Sequence, residues 1–146
     1  LEDIIETLPW VATIDQFQHG LYEKPDHTSE ERTQLWNKVL ARFSDSVTDW
    51  SGLEANRDTL WQKQLHLYEV PFYYIEYGMA QLGAIALWRN YKQNKQKGLQ
   101  SYMRALKLGN LTTIPEIYKA ADIKFDFSRV YIKELMDFVK EEYAKI

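Results

Sequence analysis

Residues 28–43, TSEERTQLWNKVLARF, give the clearest indication of the fold. Thr28 is followed three positions later by Glu31, which is the spacing of a capping box at a helix N-terminus. The apolar residues that follow recur every three or four positions, so they share one face of an α-helix. They are Leu35, Trp36, Val39, Leu40 and Phe43. The stretch therefore predicts an amphipathic helix that begins after Thr28.

The same spacing extends over most of the 146-residue chain. No stretch alternates polar and apolar residues for long enough to indicate a β-strand. We therefore expect an all-α fold, with residues 1–146 forming a single compact multi-helix domain. Besides the helix at residues 28–43, the pattern predicts helices at residues 2–23, 51–68, 72–91, 99–106, 113–121 and 128–143.

Two prolines are expected to interrupt this helical pattern. Pro9 predicts either a bend in the first helix or its true start. Pro71 follows the third predicted helix, for which Ser51 and Glu54 have the capping-box spacing. Because proline lacks an amide donor and biases the preceding residue away from helical angles, we expect a kink or a helix restart at Pro71.

The amino-acid composition excludes several classes of functional site and partner. The chain has no cysteine, which excludes disulfides, zinc knuckles and thiol nucleophiles. Without cysteine or a basic-then-apolar leader, we expect a cytoplasmic location. The net charge is only −3 and no nucleic-acid recognition motif is present, so nucleic acid is not an expected partner. The apolar stretch at residues 70–88 is interrupted by polar residues, so a membrane span is not expected either.

The candidate site combines His66 with three nearby tyrosines, Tyr73, Tyr74 and Tyr77. On a helix, Tyr77 can share a face with Tyr74, three positions away, or with Tyr73, four positions away. Aligned tyrosine hydroxyls and a histidine nitrogen can donate hydrogen bonds to a developing oxyanion. The structural alternative is a set of core tyrosines beside a histidine, all with satisfied hydrogen bonds. No two histidines of the chain have the four-residue spacing typical of a zinc helix.

Three segments carry a family resemblance. They are residues 8–19 (LPWVATIDQFQH), 66–84 (HLYEVPFYYIEYGMAQLGA) and 120–127 (AADIKFDF). Together they resemble the C-terminal region of the oligoendopeptidase F family, and the match spans most of the chain. The resemblance implies a mostly helical zinc metallopeptidase, related to thimet oligopeptidase, that hydrolyses internal bonds of short peptides in an enclosed channel.

The resemblance also implies which part of such an enzyme this chain represents. In that family the zinc ligands, an HExxH motif and a downstream Glu, precede the region matched here. Residues 1–146 would be the C-terminal helical part of the catalytic domain of a zincin-type oligopeptidase, with no metal ligand of its own and inactive alone. The resemblance makes His66, Tyr74 and Tyr77 the catalytic groups that bind the substrate carbonyl and stabilise the oxyanion. Tyr73 is a rival for Tyr74 and is expected to bind substrate.

The expected partners follow from this assignment. They are an oligopeptide substrate and the remainder of the peptidase chain, and self-association is expected where apolar surface is left uncovered. A different class of function is a non-catalytic helical module that binds a protein or peptide at the tyrosine-rich kink. An HExxH-bearing segment in the same polypeptide would favour the peptidase.

Overall fold

A computed structural model describes residues 2–146, and this part of the chain contains helices and loops but no β-strand. The all-α prediction is therefore confirmed. The α-helices are α1 (Glu2–Glu23), α2 (Ser29–Phe43), α3 (Glu54–Asp58), α4 (His66–Glu69), α5 (Ile75–Gln93), α6 (Lys95–Leu108), α7 (Ile114–Ala120) and α8 (Arg129–Tyr143). A 3₁₀ helix at Leu60–Lys63 lies between α3 and α4. The described residues form two compact units, residues 2–78 and residues 79–146.

Side chains cap the N-termini of α2, α7 and α8, and the capping box predicted at Thr28 and Glu31 is among them. The Thr28 hydroxyl accepts a hydrogen bond from the Glu31 amide at 3.2 Å, and the Glu31 carboxylate accepts one from the Thr28 amide at 2.8 Å. The Thr113 amide donates in the same way to the Glu116 carboxylate at 3.0 Å. Ser128 caps α8 through its side-chain oxygen. Each cap provides partners for amides that have none inside the helix.

The core of the first unit lies between α1 and α2, which pack against each other. Its buried members are Ile14, Phe17, Trp36, Val39 and Leu40. The Trp36 ring meets the Phe17 ring edge-on, with centroids 5.1 Å apart, a favourable geometry for aromatic pairs. Of the two alternatives for Pro9, a helix start is wrong, because α1 runs through Pro9 from Glu2.

The prediction of one helix over residues 51–68 is wrong. The structure has α3, the 3₁₀ helix and α4 in this region, and Leu53 rather than Ser51 is the residue that precedes α3. At the first break, the indole N–H of Trp36 donates to the backbone carbonyl of Arg57 at 2.8 Å. In a continuous α-helix that carbonyl would accept the amide four residues further on.

The restart predicted at Pro71 is present, but α5 begins later than the sequence pattern indicated. Phe72 was expected to open this helix, whereas the structure places the first helical residue at Ile75. Phe72 has a φ of 61°, which is incompatible with the right-handed helix. Tyr73 and Tyr74 therefore lie on the turn between α4 and α5 and not on α5 itself.

The second unit consists of the rest of α5 together with α6, α7 and α8. Its buried apolar residues are Ile85, Ala86, Ala105, Ala121, Tyr131, Leu135 and Val139. Gly109 follows α6 with a φ of 51°, a value that favours glycine. Within residues 2–146 the structure shows no helix that combines the length and the apolar character needed to cross a membrane.

Candidate functional site

A short helix and a turn bring the four candidate residues together in the first unit. His66 opens α4, Tyr73 and Tyr74 lie on the turn after Pro71, and Tyr77 lies in the first turn of α5. The centroid of the His66 ring is 4.9 Å from that of Tyr74, 5.5 Å from that of Tyr77 and 6.4 Å from that of Tyr73. The structure therefore places all four rings in one cluster.

Tyr77 is the common neighbour of the other two tyrosines. Its ring centroid lies 5.2 Å from that of Tyr74 and 5.9 Å from that of Tyr73. Both of the pairs that the sequence spacing allowed are thus present, although Tyr73 and Tyr74 precede the helix. The turn replaces the helix face as the element that makes them converge.

Both ring nitrogens of His66 have a hydrogen-bond partner. Nε2 lies 3.2 Å from the hydroxyl oxygen of Tyr77, and Nδ1 lies 2.6 Å from the side-chain nitrogen of Gln64. The Gln64 side-chain oxygen in turn accepts a hydrogen bond from the Trp10 indole at 3.0 Å. His66 is therefore held between a buried amide on one side and an exposed phenol on the other.

Exposure differs within the cluster in a way that bears on function. Tyr73 and Tyr77 are 50% and 45% exposed, whereas Tyr74 and His66 are partly buried. The structural alternative, in which all these tyrosines are core residues, does not describe Tyr73 and Tyr77. Tyr73 and Tyr77 therefore lie at the surface of this chain.

The environment of the Tyr74 hydroxyl raises its pKa. Burial raises its pKa above the ordinary value of 10.0, a hydrogen bond with the Trp10 side chain opposes this, and the nearby Tyr77 adds to the rise. Tyr74 therefore keeps its proton at neutral pH and can serve as a hydrogen-bond donor.

Two glutamines support the cluster, and the sequence analysis identified neither. Gln18 of α1 is almost fully buried, and its side-chain oxygen accepts the Phe72 amide at 3.0 Å, which holds the turn that carries Tyr73 and Tyr74. Gln64 contacts His66 directly. Gln64 contacts a residue two positions away, but it is oriented by Trp10, 54 positions away, and Gln18 and Phe72 are also 54 positions apart, so no local pattern marks either glutamine.

The described residues do not provide a metal centre. Among residues 2–146, no group of three or more His, Cys, Asp or Glu side chains is arranged to hold a metal ion. His19 is paired with Asp15 across one helix turn, at 3.6 Å, and the Nδ1 atom of His27 lies 2.6 Å from the Lys24 carbonyl oxygen. The donor set present here does not fit a zinc site.

Comparison with known protein families identifies the chain. The model of peptidase family M3 matches residues 1–137. The chain belongs to peptidase family M3. This membership confirms the resemblance to oligoendopeptidase F inferred from the sequence.

A solved structure supports the same relationship. The chain is similar to part of a 3.1 Å X-ray structure of a proposed oligoendopeptidase F, with a TM-score of 0.82 and 28% sequence identity. The similarity covers 99% of this chain and 26% of that chain, so residues 1–146 span about a quarter of the length of the solved peptidase. A search of the curated proteins found no match.

Proposed function

We propose that this chain is the C-terminal helical part of an oligoendopeptidase F-like zinc metallopeptidase that hydrolyses internal bonds of short peptides. The observation that carries the proposal is the cluster of His66 with Tyr73, Tyr74 and Tyr77 in a member of peptidase family M3. The zinc would need ligands from polypeptide other than residues 2–146, because the donor groups described here do not fit a metal.

The role of the cluster is to donate hydrogen bonds to the carbonyl oxygen of the scissile bond. Hydrolysis of a peptide bond places negative charge on that oxygen in the transition state, and preorganised donors stabilise the charge. The Tyr77 hydroxyl lies at the surface of the chain, 3.2 Å from Nε2 of His66, so a substrate oxygen can approach the hydroxyl while His66 holds it in place. Loss of one such donor typically lowers the rate by about 100- to 1000-fold.

The three tyrosines have different environments and, we propose, different roles. Tyr74 is partly buried and protonated, which suits a fixed donor to the reacting carbonyl. Tyr77 hydrogen bonds His66, and these three residues form the catalytic group of this chain. Tyr73 exposes half of its surface, and its ring is parallel to that of His66, which suits contact with a peptide substrate.

The partners in this proposal are an oligopeptide substrate and the remainder of the peptidase chain. Apolar side chains exposed on α6 are consistent with a further covering surface or with self-association; they are Leu99, Met103 and Leu106, which are 53%, 46% and 55% exposed. A cytoplasmic location remains a prediction from the absence of cysteine.

The decisive experiment compares this chain with the longest natural polypeptide that contains it. Zinc content and hydrolysis of a quenched fluorescent oligopeptide are measured on both. We expect stoichiometric zinc and cleavage for the longer polypeptide and neither for residues 1–146 alone. Peptide binding without zinc or cleavage in either protein would overturn the proposal in favour of the helical binding module.

Two histidine variants test whether turnover depends on His66 specifically. In the longer polypeptide, His66→Ala is expected to abolish most turnover. His27→Ala is the control, because His27 contacts the Lys24 carbonyl and lies far from the tyrosines in sequence. This control variant is expected to keep full turnover. Equal activity of the two variants would contradict the assignment of His66.

A further inference from the structure

We propose that Gln64 fixes His66 in the tautomer that carries its proton on Nε2, and that Gln64 is thereby a positioning residue of the site. The inference deepens the proposed function and rests on it for its catalytic consequence. The state of the imidazole ring itself can be measured without any activity assay.

The orientation of the Gln64 amide is set by Trp10. The indole nitrogen of Trp10 can only donate a hydrogen bond; its N–H is shared between the Tyr74 hydroxyl and the Gln64 side-chain oxygen, which lies 3.0 Å away. The opposite orientation would place the amide NH₂ group against another donor. The Gln64 oxygen must therefore face Trp10, and its nitrogen faces His66 at 2.6 Å.

The orientation of the amide decides where the proton of His66 lies. An amide NH₂ group donates and does not accept, so Nδ1 of His66 must be the acceptor. In a neutral imidazole the remaining proton is then on Nε2, because the bond made by one ring nitrogen sets the state of the other. Nε2 lies 3.2 Å from the Tyr77 hydroxyl oxygen.

Burial and a fixed backbone position limit rearrangement of Gln64. The residue is 9% exposed and directly follows the 3₁₀ helix, with its backbone amide donating to the Trp61 carbonyl at 3.0 Å. Its own carbonyl accepts the amide of Leu67 at 3.1 Å. A buried side chain anchored on both sides cannot turn its amide without losing hydrogen bonds that water does not replace.

The result is a chain of three hydrogen bonds in which each residue donates to the next. Trp10 donates to Gln64, Gln64 to His66, and His66 Nε2 to the Tyr77 oxygen. The Tyr77 hydroxyl hydrogen is then free to point outward, and Tyr77 is 45% exposed. Such a series recognises a group that only accepts hydrogen bonds, which is the chemistry of a peptide carbonyl and of the oxyanion derived from it.

The test is an NMR measurement of the ring nitrogens, combined with turnover. The longer peptidase is labelled with ¹⁵N-histidine, and its spectra are recorded well above the ordinary histidine pKa of about 6.5. His66→Asn assigns the signals. We expect the wild-type His66 ring to carry its proton on Nε2. Gln64→Glu presents only acceptors to Nδ1 and should move the proton there, whereas Gln64→Met removes the NH₂ donor and should give a mixture of tautomers.

The catalytic consequence is measured on the same variants. Gln64→Glu is expected to lower kcat by about 10- to 100-fold, with a much smaller change in KM, because the donor toward the substrate oxygen is lost. Gln62→Glu adds the same charge two residues away on the exposed side of the 3₁₀ helix, and should change neither the tautomer nor kcat. Circular dichroism confirms that each variant is folded.

The outcomes separate the inference from the proposed function. A wild-type ring protonated on Nδ1, or a tautomer unchanged in Gln64→Glu, would overturn the inference even if His66 is essential. A changed tautomer with unchanged kcat would overturn the positioning role. Full turnover in His66→Ala would overturn the proposed function, and the NMR result would still decide whether Gln64 sets the tautomer.

Discussion

The side-chain oxygen of Gln18 accepts a hydrogen bond from the backbone amide of Phe72 at 3.0 Å, across 54 positions of sequence. Phe72 has a φ of 61°, an unfavourable value for a residue with a bulky side chain. Its ring packs against His19 and Tyr22 of α1, with centroids 4.9 Å away in each case. One amide and two aromatic contacts therefore hold the turn that places Tyr73 and Tyr74 beside His66.

This relationship predicts a specific loss of stability. Gln18→Leu keeps an apolar stem but leaves the Phe72 amide without its partner in a partly buried position. We expect the free energy of unfolding to fall by about 0.5–1.5 kcal/mol, the usual net contribution of one hydrogen bond, because Phe72 is 37% exposed and the Gln18 side-chain nitrogen has no hydrogen bond to lose. Urea denaturation of the wild type and the variant measures the difference.

The matched control for Gln18 is on the same helix. Gln16 is exposed, and its side-chain oxygen accepts a hydrogen bond from the Arg42 guanidinium at 3.3 Å. Gln16→Leu should change stability by no more than about 0.5 kcal/mol, as is usual for surface positions. If the two variants lost the same stability, the turn would not depend on Gln18.

A series of Tyr→Phe variants tests the roles assigned to the three tyrosines. Tyr77→Phe and Tyr74→Phe should each lower kcat by about 10-fold or more with little change in KM, because their hydrogen bonds strengthen as charge develops on the substrate oxygen. Tyr73→Phe should act mainly on KM. Steady-state kinetics on the longer peptidase with a quenched fluorescent peptide give both parameters.

The control in that series is Tyr68→Phe. Tyr68 is 57% exposed and stacks on Trp61, a contact that phenylalanine retains, so its kinetics should match the wild type. A kcat effect for Tyr73→Phe in place of Tyr74→Phe would exchange the roles of these two residues. No kcat effect in any of the three variants would rule out tyrosine donors to the oxyanion.

Sequence reasoning succeeded where the deciding interactions were local. The capping pair of Thr28 and Glu31 is three residues apart, and its hydrogen bonds are present as predicted. His66 and its tyrosines also lie within twelve consecutive residues, although the turn that brings them together is held by the distant Gln18. Such interactions can be predicted because both partners lie within a few helical turns of each other.

The sequence predictions failed where a side chain from a distant part of the sequence hydrogen bonds a backbone group. The helix expected over residues 51–68 is interrupted where Trp36 binds the Arg57 carbonyl. Helix α5 starts later than expected because Gln18 and α1 hold Phe72 outside the helical region. Gln64 was missed for the same reason, since its partner Trp10 is 54 positions away. Tertiary contacts of this kind leave no periodic signal in a single sequence.

The second unit contains a carboxylate whose charge contributes to stability. The side chain of Glu142 is 8% exposed and accepts hydrogen bonds from Lys145 and, at 2.7 Å, from Lys92. These two lysines, Lys145 first, hold its pKa below the ordinary value of 4.5. Because the pKa is lower in the folded state, the contribution is present above pH 4.5 and is lost as the pH falls toward the folded-state value.

We therefore expect Glu142→Gln to lower the urea midpoint at neutral pH and to make the midpoint less dependent on pH on the acid side. Glu141→Gln, at the exposed neighbouring position, removes the same charge without these partners. Its acid profile should follow the wild type. Parallel acid profiles for all three proteins would show that Glu142 does not contribute to the pH dependence.

The approach of α6 to the end of α5 leads to a final prediction on packing. A Cβ atom at Gly98 would lie 2.6 Å from the α-carbon and 2.8 Å from the backbone nitrogen of Tyr91, atoms that cannot move independently. Gly98→Ala should therefore destabilise the protein by about 1–3 kcal/mol, although alanine is normally more stable in a helix than glycine.

Gly20→Ala is the control. At Gly20 the corresponding Cβ would meet the flexible tip of the Leu35 side chain at 2.7 Å, so this variant should have nearly wild-type stability. Urea midpoints of the two variants test the argument, and it fails if Gly98→Ala is as stable as Gly20→Ala.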